Sequence, residues 1–114
     1  IATQEANADQ SYKQMLIESA ADDIVLSSLF TGVSGNYLKP SINKAGLDAD
    51  NLPDADKSSM NFGSGGNTEA KAWKDIWGSG QGIGLIEDSP SVSELVSRIK
   101  SEFDTAVSEL QGKI

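Results

Sequence analysis

The chain has 114 residues and contains neither cysteine nor histidine. These absences exclude disulfides, thiolate nucleophiles, cysteine- or histidine-ligated zinc and serine–histidine catalysis within it. The formal net charge is −8 without any basic cluster, which argues against a nucleic-acid or anionic-membrane surface, and no apolar run is long enough for a membrane span. We therefore expect an acidic cytoplasmic protein.

The first predicted element is a helix over residues 5–21. Asn7 followed by Gln10 predicts a capping box at its start. Asp22 and Asp23 are unfavourable beside a helix C-terminus, so they mark its end. The helix is supported by apolar residues at helical spacing, namely Tyr12, Met15, Leu16 and Ala20.

An extended segment is predicted next, over residues 24–30. This stretch, IVLSSLF, is short, apolar and β-branched at its start, which favours an extended conformation over a helix. Residues 31–32 and 34–36 contain glycine and predict turns around it.

A second helix is predicted over residues 36–45. Pro40 fits the first turn of a helix that begins near Lys39, and Gly46 stops it. Residues 47–66 form a long loop, a length that is uncommon unless the loop is functional or disordered.

The long loop is rich in aspartate, which raises the question of calcium. An EF-hand would need an acid or amide at Leu52 and a glycine at Pro53, so we favour a solvated loop with turn-forming aspartates. The aspartates concerned are Asp48, Asp50, Asp54 and Asp56.

The most informative stretch is residues 69–88, EAKAWKDIWGSGQGIGLIED, where an amphipathic helix is predicted to break into a glycine-rich loop. Glycines remove Cβ atoms, so they allow close approach of another backbone or a flat ligand. The glycines alternate and do not form a dinucleotide fingerprint. The predicted apolar stripe, more typical of core than of a cofactor box, is Ala70, Trp73, Ile76 and Trp77.

A final helix is predicted over residues 90–114. Ser91 and Glu94 form a capping box, and Glu94 is spaced to pair with Arg98. The apolar stripe of this helix comprises Val92, Leu95, Val96, Ile99, Phe103, Ala106, Val107 and Leu110.

Residues 77–88, WGSGQGIGLIED, resemble the W-[SAG]-[AS]-G-Q-x-x-G-x-I-x-D segment of the nitronate monooxygenases, also called 2-nitropropane dioxygenases. The start of the chain, IAT followed by EA, resembles the residues after that family's G-T-R-F phosphate clamp. Residues 29–32, LFTG, and 35–38, GNYL, resemble its later F-T-G and G-N-Y-L elements. The likeness covers nearly the whole chain in the family's order.

The resemblance implies a C-terminal fragment of an FMN-binding (β/α)8 TIM-barrel protein, since a complete barrel needs about 250 residues. In isolation we expect the chain to be mainly α-helical with one or two short extended segments. Residues 1–21 would form the helix after the last barrel strand, residues 22–89 a cap or insert containing the loop 47–66, and residues 90–114 the C-terminal helix.

The resemblance also implies FMN as the cofactor and a nitronate or nitroalkane as the substrate. Ser79, Gly80 and Gln81 would then lie near the flavin and substrate, although Ser79 by itself is an ordinary turn serine. The family's catalytic histidine has no counterpart here, so no catalytic residue and no metal ligand is expected in this chain. The remainder of the barrel would be the partner, and the isolated fragment is expected to be inactive and prone to self-association.

Two alternatives remain open. One is a related flavin-dependent NADH-quinone or enoyl reductase. The other is a small acidic helical interaction module without a cofactor, whose Trp73 stripe binds a partner helix.

Overall fold

The computed structural model describes residues 1–53 and 74–114, which fall into two compact units: residues 1–17 with 87–114, and residues 18–86. The described residues form a helix-rich part and a short two-stranded sheet, so the prediction of helices with short extended segments is supported in this coarser form. The elements are helices α1 (Gln10–Glu18), α2 (Lys39–Lys44) and α3 (Val92–Gly112), strands β1 (Ile24–Ser27) and β2 (Gly35–Leu38), and 3₁₀ helices at Ala21–Asp23 and Gln81–Leu85.

Helix α1 is shorter than the predicted span 5–21. It begins after Asp9, whose carboxylate accepts a hydrogen bond from the Ser11 N–H at 2.7 Å. The predicted capping box of Asn7 and Gln10 is therefore wrong, because Asp9 lies closer to the helix start and satisfies one of its unpaired N–H groups.

The start of α3 follows the prediction. The Ser91 Oγ accepts from the Glu94 N–H at 3.2 Å, and the Glu94 carboxylate accepts from the Ser91 N–H at 3.1 Å, which completes the capping box. The Glu5 carboxylate accepts from the Val92 N–H at 2.6 Å. A carboxylate is favourable at this position because the helix N-terminus carries a partial positive charge.

The predicted pair between Glu94 and Arg98 is wrong. Arg98 instead binds Asp88 through both carboxylate oxygens, at 2.9 and 2.8 Å. The Glu94 carboxylate already accepts a hydrogen bond in the cap, whereas Asp88 offers the planar guanidinium a two-pronged contact.

In the unit 18–86, β1 and β2 form an antiparallel pair whose register runs from Ile24 opposite Leu38 to Ser27 opposite Gly35. The turn before β2 contains Gly32 with a φ of 80°, a left-handed conformation that favours glycine. The second predicted turn, at residues 34–36, is wrong in part, because Gly35 already belongs to β2 and its pairing with β1 extends it.

Helix α2 begins at Lys39 and carries Pro40 in its first turn, as predicted, but the predicted helix 36–45 is wrong for residues 36–38, which belong to β2 and pair with β1. Gly46 follows it with a φ of 91°, which also confirms the predicted stop. The core of this unit is formed by Ile42, Ala49 and Ile76, with Val25, Phe30, Tyr37 and Leu52 packed against them.

Several predictions fall outside the described residues, including Ala70 and Trp73 of the stripe and most of the loop 47–66. Of the predicted helix before the glycine loop, Lys74 and Asp75 are helical, and Ile76 is buried in the core as expected. No helix within residues 1–53 and 74–114 is both long and apolar enough to cross a membrane.

Candidate functional site

The glycine loop begins as an extended segment on the edge of β2 that β1 does not occupy. The Leu38 N–H donates to the Trp77 carbonyl at 2.7 Å, and the Ser79 N–H donates to the Asn36 carbonyl at 3.4 Å. Residues 77–79 therefore add a short antiparallel segment to the two-stranded sheet. This pairing fixes the position of the loop backbone immediately before Gly80.

A buried hydroxyl reinforces that attachment. Ser41, on α2, is only 1% exposed, and its Oγ donates to the Leu38 carbonyl at 2.8 Å. The same oxygen accepts from the Trp77 N–H at 3.0 Å. Ser41 therefore joins α2, β2 and the glycine loop through one atom, a role that no motif in the sequence predicts.

The alternating glycines of the loop differ in whether an added Cβ would contact a neighbouring atom. Gly78 forms an antiparallel bridge with Tyr37, and a Cβ on Gly78 would lie 3.2 Å from the Asn36 carbonyl oxygen. The predicted close approach of two backbones is thus present at Gly78. A Cβ on Gly84 would make only ordinary contact, and one on Gly80 or Gly82 would meet no atom within 4 Å.

The three predicted site residues lie together where the extended segment turns into a 3₁₀ helix. Ser79 is partly buried and its Oγ donates to the Gly80 carbonyl at 3.4 Å. Gly80 precedes the 3₁₀ helix with an extended backbone, and Gly80 and Gln81 are both exposed. Ile83, which is 1% exposed, anchors the following turn.

Ser79, Gly80 and Gln81 form an open, uncharged surface, which we call the rim. Buried groups hold the chain in place on both sides of it. Residues 77–86 contain no charged side chain, so the loop offers a hydroxyl, an amide and bare backbone but no acid or base. It is suited to contacting and orienting a neutral or flat group. It cannot by itself transfer protons in a reaction.

The aspartates considered for calcium are engaged within the chain where the structure describes them. Asp48 accepts a hydrogen bond from the Asp50 N–H at 3.0 Å, and Asp50 binds the Lys39 ammonium at 2.8 Å. Hydrogen bonding and charge attraction from Asp50 raise the pKa of Lys39 above its ordinary value. The described residues contain no group of acidic side chains that could hold a metal ion, and Asp54 and Asp56 lie outside them.

A surface depression on α3 does not include the glycine loop. Side chains of this one helix line it and it is open to solvent, so it encloses no ligand volume. Its lining residues are Ser97, Lys100, Ser101, Asp104, Thr105, Ser108 and Glu109.

Comparison with known proteins gives a structural likeness only. No family model and no curated protein matches the chain. FabK from Thermotoga maritima aligns over 99% of this chain and 37% of its own, with a TM-score of 0.64 and 22% identity. A point mutant of the same protein aligns over 99% and 34%, with a TM-score of 0.67 and 22% identity.

The chain shares the fold of part of FabK. FabK is a TIM-barrel protein, and the present chain spans only about a third of its length. The predicted relation to a TIM barrel is thus supported at the level of the fold, over a portion of a barrel rather than a complete one.

Proposed function

We propose that this chain is the C-terminal part of a flavin-dependent oxidoreductase built on a (β/α)8 barrel. The observation that carries the proposal is the likeness to FabK over 99% of the chain, because FabK is a flavin enzyme with a TIM-barrel fold. The motif in residues 77–88 supports the same assignment from the sequence alone.

The rim formed by Ser79, Gly80 and Gln81 fits one part of an FMN molecule. Space is open on the side where Gly80 lacks a Cβ, and a flat ring can approach bare backbone closely. The Ser79 hydroxyl and the Gln81 amide supply hydrogen-bonding groups beside that space. FMN, when bound, supplies the redox chemistry, while these residues orient it and its substrate.

The same rim does not fit the phosphate of FMN. Phosphates are held by basic side chains and by helix N-termini, and residues 77–86 have no positive charge. The phosphate contacts therefore belong to other parts of the barrel in this proposal, in agreement with the G-T-R-F clamp of the resembled family lying before this chain.

The sequence motif and the structural likeness each favour a different reaction. The motif favours oxidation of alkyl nitronates, as in the nitronate monooxygenases. The two structural neighbours described above are forms of FabK, an enoyl-ACP reductase, and not the nitronate-oxidising member of the superfamily. Reduction of an enoyl thioester is therefore the second candidate.

The first experiment is an absorption spectrum of the full-length protein, followed by mass analysis of the chromophore released on denaturation. We expect flavin bands and the mass of FMN. A colourless full-length protein that gains no such bands when incubated with FMN would contradict the proposal and favour an interaction module without a cofactor.

The second experiment separates the two reactions in the flavin-loaded protein. An alkyl nitronate with oxygen tests nitronate oxidation through nitrite release. A reduced nicotinamide cofactor with an enoyl thioester tests reduction through loss of nicotinamide absorbance. The substrate that gives the higher kcat/KM identifies the reaction class.

A further inference from the structure

A row of side chains continues the rim across the sheet. In the register of β1 and β2, Leu26 lies opposite Asn36. An antiparallel bridge joins Tyr37 to Gly78. One position along, the Ser79 N–H donates to the Asn36 carbonyl at 3.4 Å, so Ser79 lies opposite Asn36 on the other side of β2. Residues directly opposite each other share a face of the sheet, and we call Leu26, Asn36 and Ser79 the cross-strand row.

The cross-strand row lies on the face of the sheet that is turned away from the core. Val25 and Tyr37, which are the sequence neighbours of Leu26 and Asn36, pack against the core. Because successive side chains of a strand alternate between faces, Leu26 and Asn36 lie on the opposite face. Leu26 is 69% exposed and Asn36 is also exposed, whereas Ser79 is partly buried. The row is therefore an open surface that is continuous with the rim through Ser79.

The polarity of the cross-strand row changes along its length. Its two ends, Ser79 and Leu26, are two strand spacings apart, about 10 Å. The Ser79 hydroxyl and the Asn36 carboxamide form a polar end, and Leu26 forms an apolar end without any charge between them. Within residues 1–53 and 74–114, the Asn36 carboxamide makes no hydrogen bond. Such a surface is complementary to a molecule with a small polar head and an apolar chain.

We propose that the cross-strand row selects substrates by the length of an unbranched apolar chain. The oxygen atoms of the substrate's head accept hydrogen bonds from the Asn36 carboxamide, and the chain extends over Leu26. Alkyl nitronates and enoyl thioesters both have such a head and chain, so the selection applies to either reaction. This inference rests on the proposed function for the identity of the occupant as a substrate. It makes Asn36 and Leu26 specificity-determining residues.

The test is calorimetric titration of the full-length protein with straight-chain primary amides, from butanamide to decanamide. These probes have an uncharged oxygen-bearing head and do not react. A fully buried methylene strengthens binding about fourfold, and a row that is open on one side covers about half of each group. We therefore expect the affinity to rise about twofold for each added methylene until the chain extends past Leu26.

Two variants locate the effect, and one serves as a matched control. Leu26→Thr keeps a β-branched residue suited to a strand and should flatten the dependence on chain length. Asn36→Ala should weaken binding of every amide by a similar factor of about two to ten, because one hydrogen bond to the head is lost. Val33→Thr is the control, since Val33 is 72% exposed but lies in the turn outside the row. It should keep the wild-type dependence, and thermal melting checks that all variants are folded.

A wild-type affinity that does not rise with chain length would by itself overturn the proposal. An unchanged rise in Leu26→Thr, or an equal loss of the rise in Val33→Thr, would also overturn it. The flavin content of the same samples keeps this test separate from the proposed function. Flavin together with a flat series would leave the function standing and reject the role of the row. A rise that Leu26→Thr abolishes in a protein without flavin would do the reverse.

Discussion

Nothing in the described part of the chain requires a glycine at position 80. Its φ of −93° and ψ of 168° are open to any residue, and a Cβ would meet no atom within 4 Å. If the proposed function is right, the cause lies in what approaches the rim from outside. Gly80 is therefore the most direct probe of the candidate site.

We expect Gly80→Val to leave the unfolding free energy of the full-length protein within about 1 kcal/mol of wild type, since it clashes with nothing in the chain. Turnover or flavin content should fall sharply, because the added side chain fills the open side of the rim. Steady-state kinetics with flavin quantification measures both effects.

Two further variants serve as controls for Gly80→Val. Gly78→Val places a side chain against the Asn36 carbonyl, so it should lower stability more than the change at Gly80. Lys74→Ala, at an exposed position, should change neither stability nor turnover. Wild-type turnover and full flavin occupancy in Gly80→Val would mean that the loop is only a structural turn.

Ser41 is the residue on which the position of the rim depends. Ser41→Ala removes the hydrogen bonds of its Oγ with the Leu38 carbonyl and the Trp77 N–H in a buried setting. We expect a loss of about 1–3 kcal/mol, measured by urea unfolding of the full-length protein. Ser34→Ala is the exposed control, and equal unfolding midpoints for the two variants would show that the Ser41 bonds contribute nothing.

At the scale of elements, the ion pair between Asp88, which precedes α3, and Arg98, which lies on α3, makes the stability of the protein depend on pH. Hydrogen bonding and charge attraction from Arg98 lower the pKa of Asp88 below its ordinary 3.8. Because the folded pKa is depressed, the pair stabilises the protein above the unfolded pKa. That contribution is lost as the pH falls through the lower, folded value.

We therefore expect Asp88→Asn to reduce the fall in Tm of the full-length protein on acidification below about pH 4. The Tm difference between variant and wild type at neutral pH should shrink in about 1 M salt, since the pair is exposed and screened. Thermal melting over a pH series measures both. Identical acid profiles for the two proteins would show that the pair makes no net contribution.

The elements differ in how far their sequences predict them. The capping box of α3 and the first turn of α2 depend on residues within a few positions, so they were predicted. The pairing of residues 77–79 with β2 depends on partners about forty positions away, as does the bond from Trp77 to Ser41. No local pattern encodes those contacts. The motif therefore predicted Ser79, Gly80 and Gln81 as a candidate site without predicting what holds them.

At the scale of the whole molecule, the net charge disfavours contact with a phosphate, whereas the uncharged and apolar surfaces favour contact with neutral groups. The chain is strongly acidic overall, yet its glycine loop is uncharged and the stripe on α3 is apolar. A phosphate-bearing cofactor is repelled by the net charge and gains no ionic contact at the loop. Within the proposed barrel enzyme, the chain thus supplies a contact for the neutral part of the flavin, and other segments supply the contact for its phosphate.

If this chain contacts the neutral part of the flavin and other segments hold its phosphate, the full-length protein and the isolated chain should differ in how they discriminate FMN from riboflavin, which lacks the phosphate. In the proposed enzyme the phosphate contacts belong to other segments of the barrel, so we expect the full-length protein to bind FMN more tightly than riboflavin. The isolated 114-residue chain should bind both weakly and without preference. Fluorescence-quenching titrations at one ionic strength measure all four affinities. A submicromolar Kd of the isolated chain for FMN, with a clear preference over riboflavin, would place the phosphate site within these residues and refute the division.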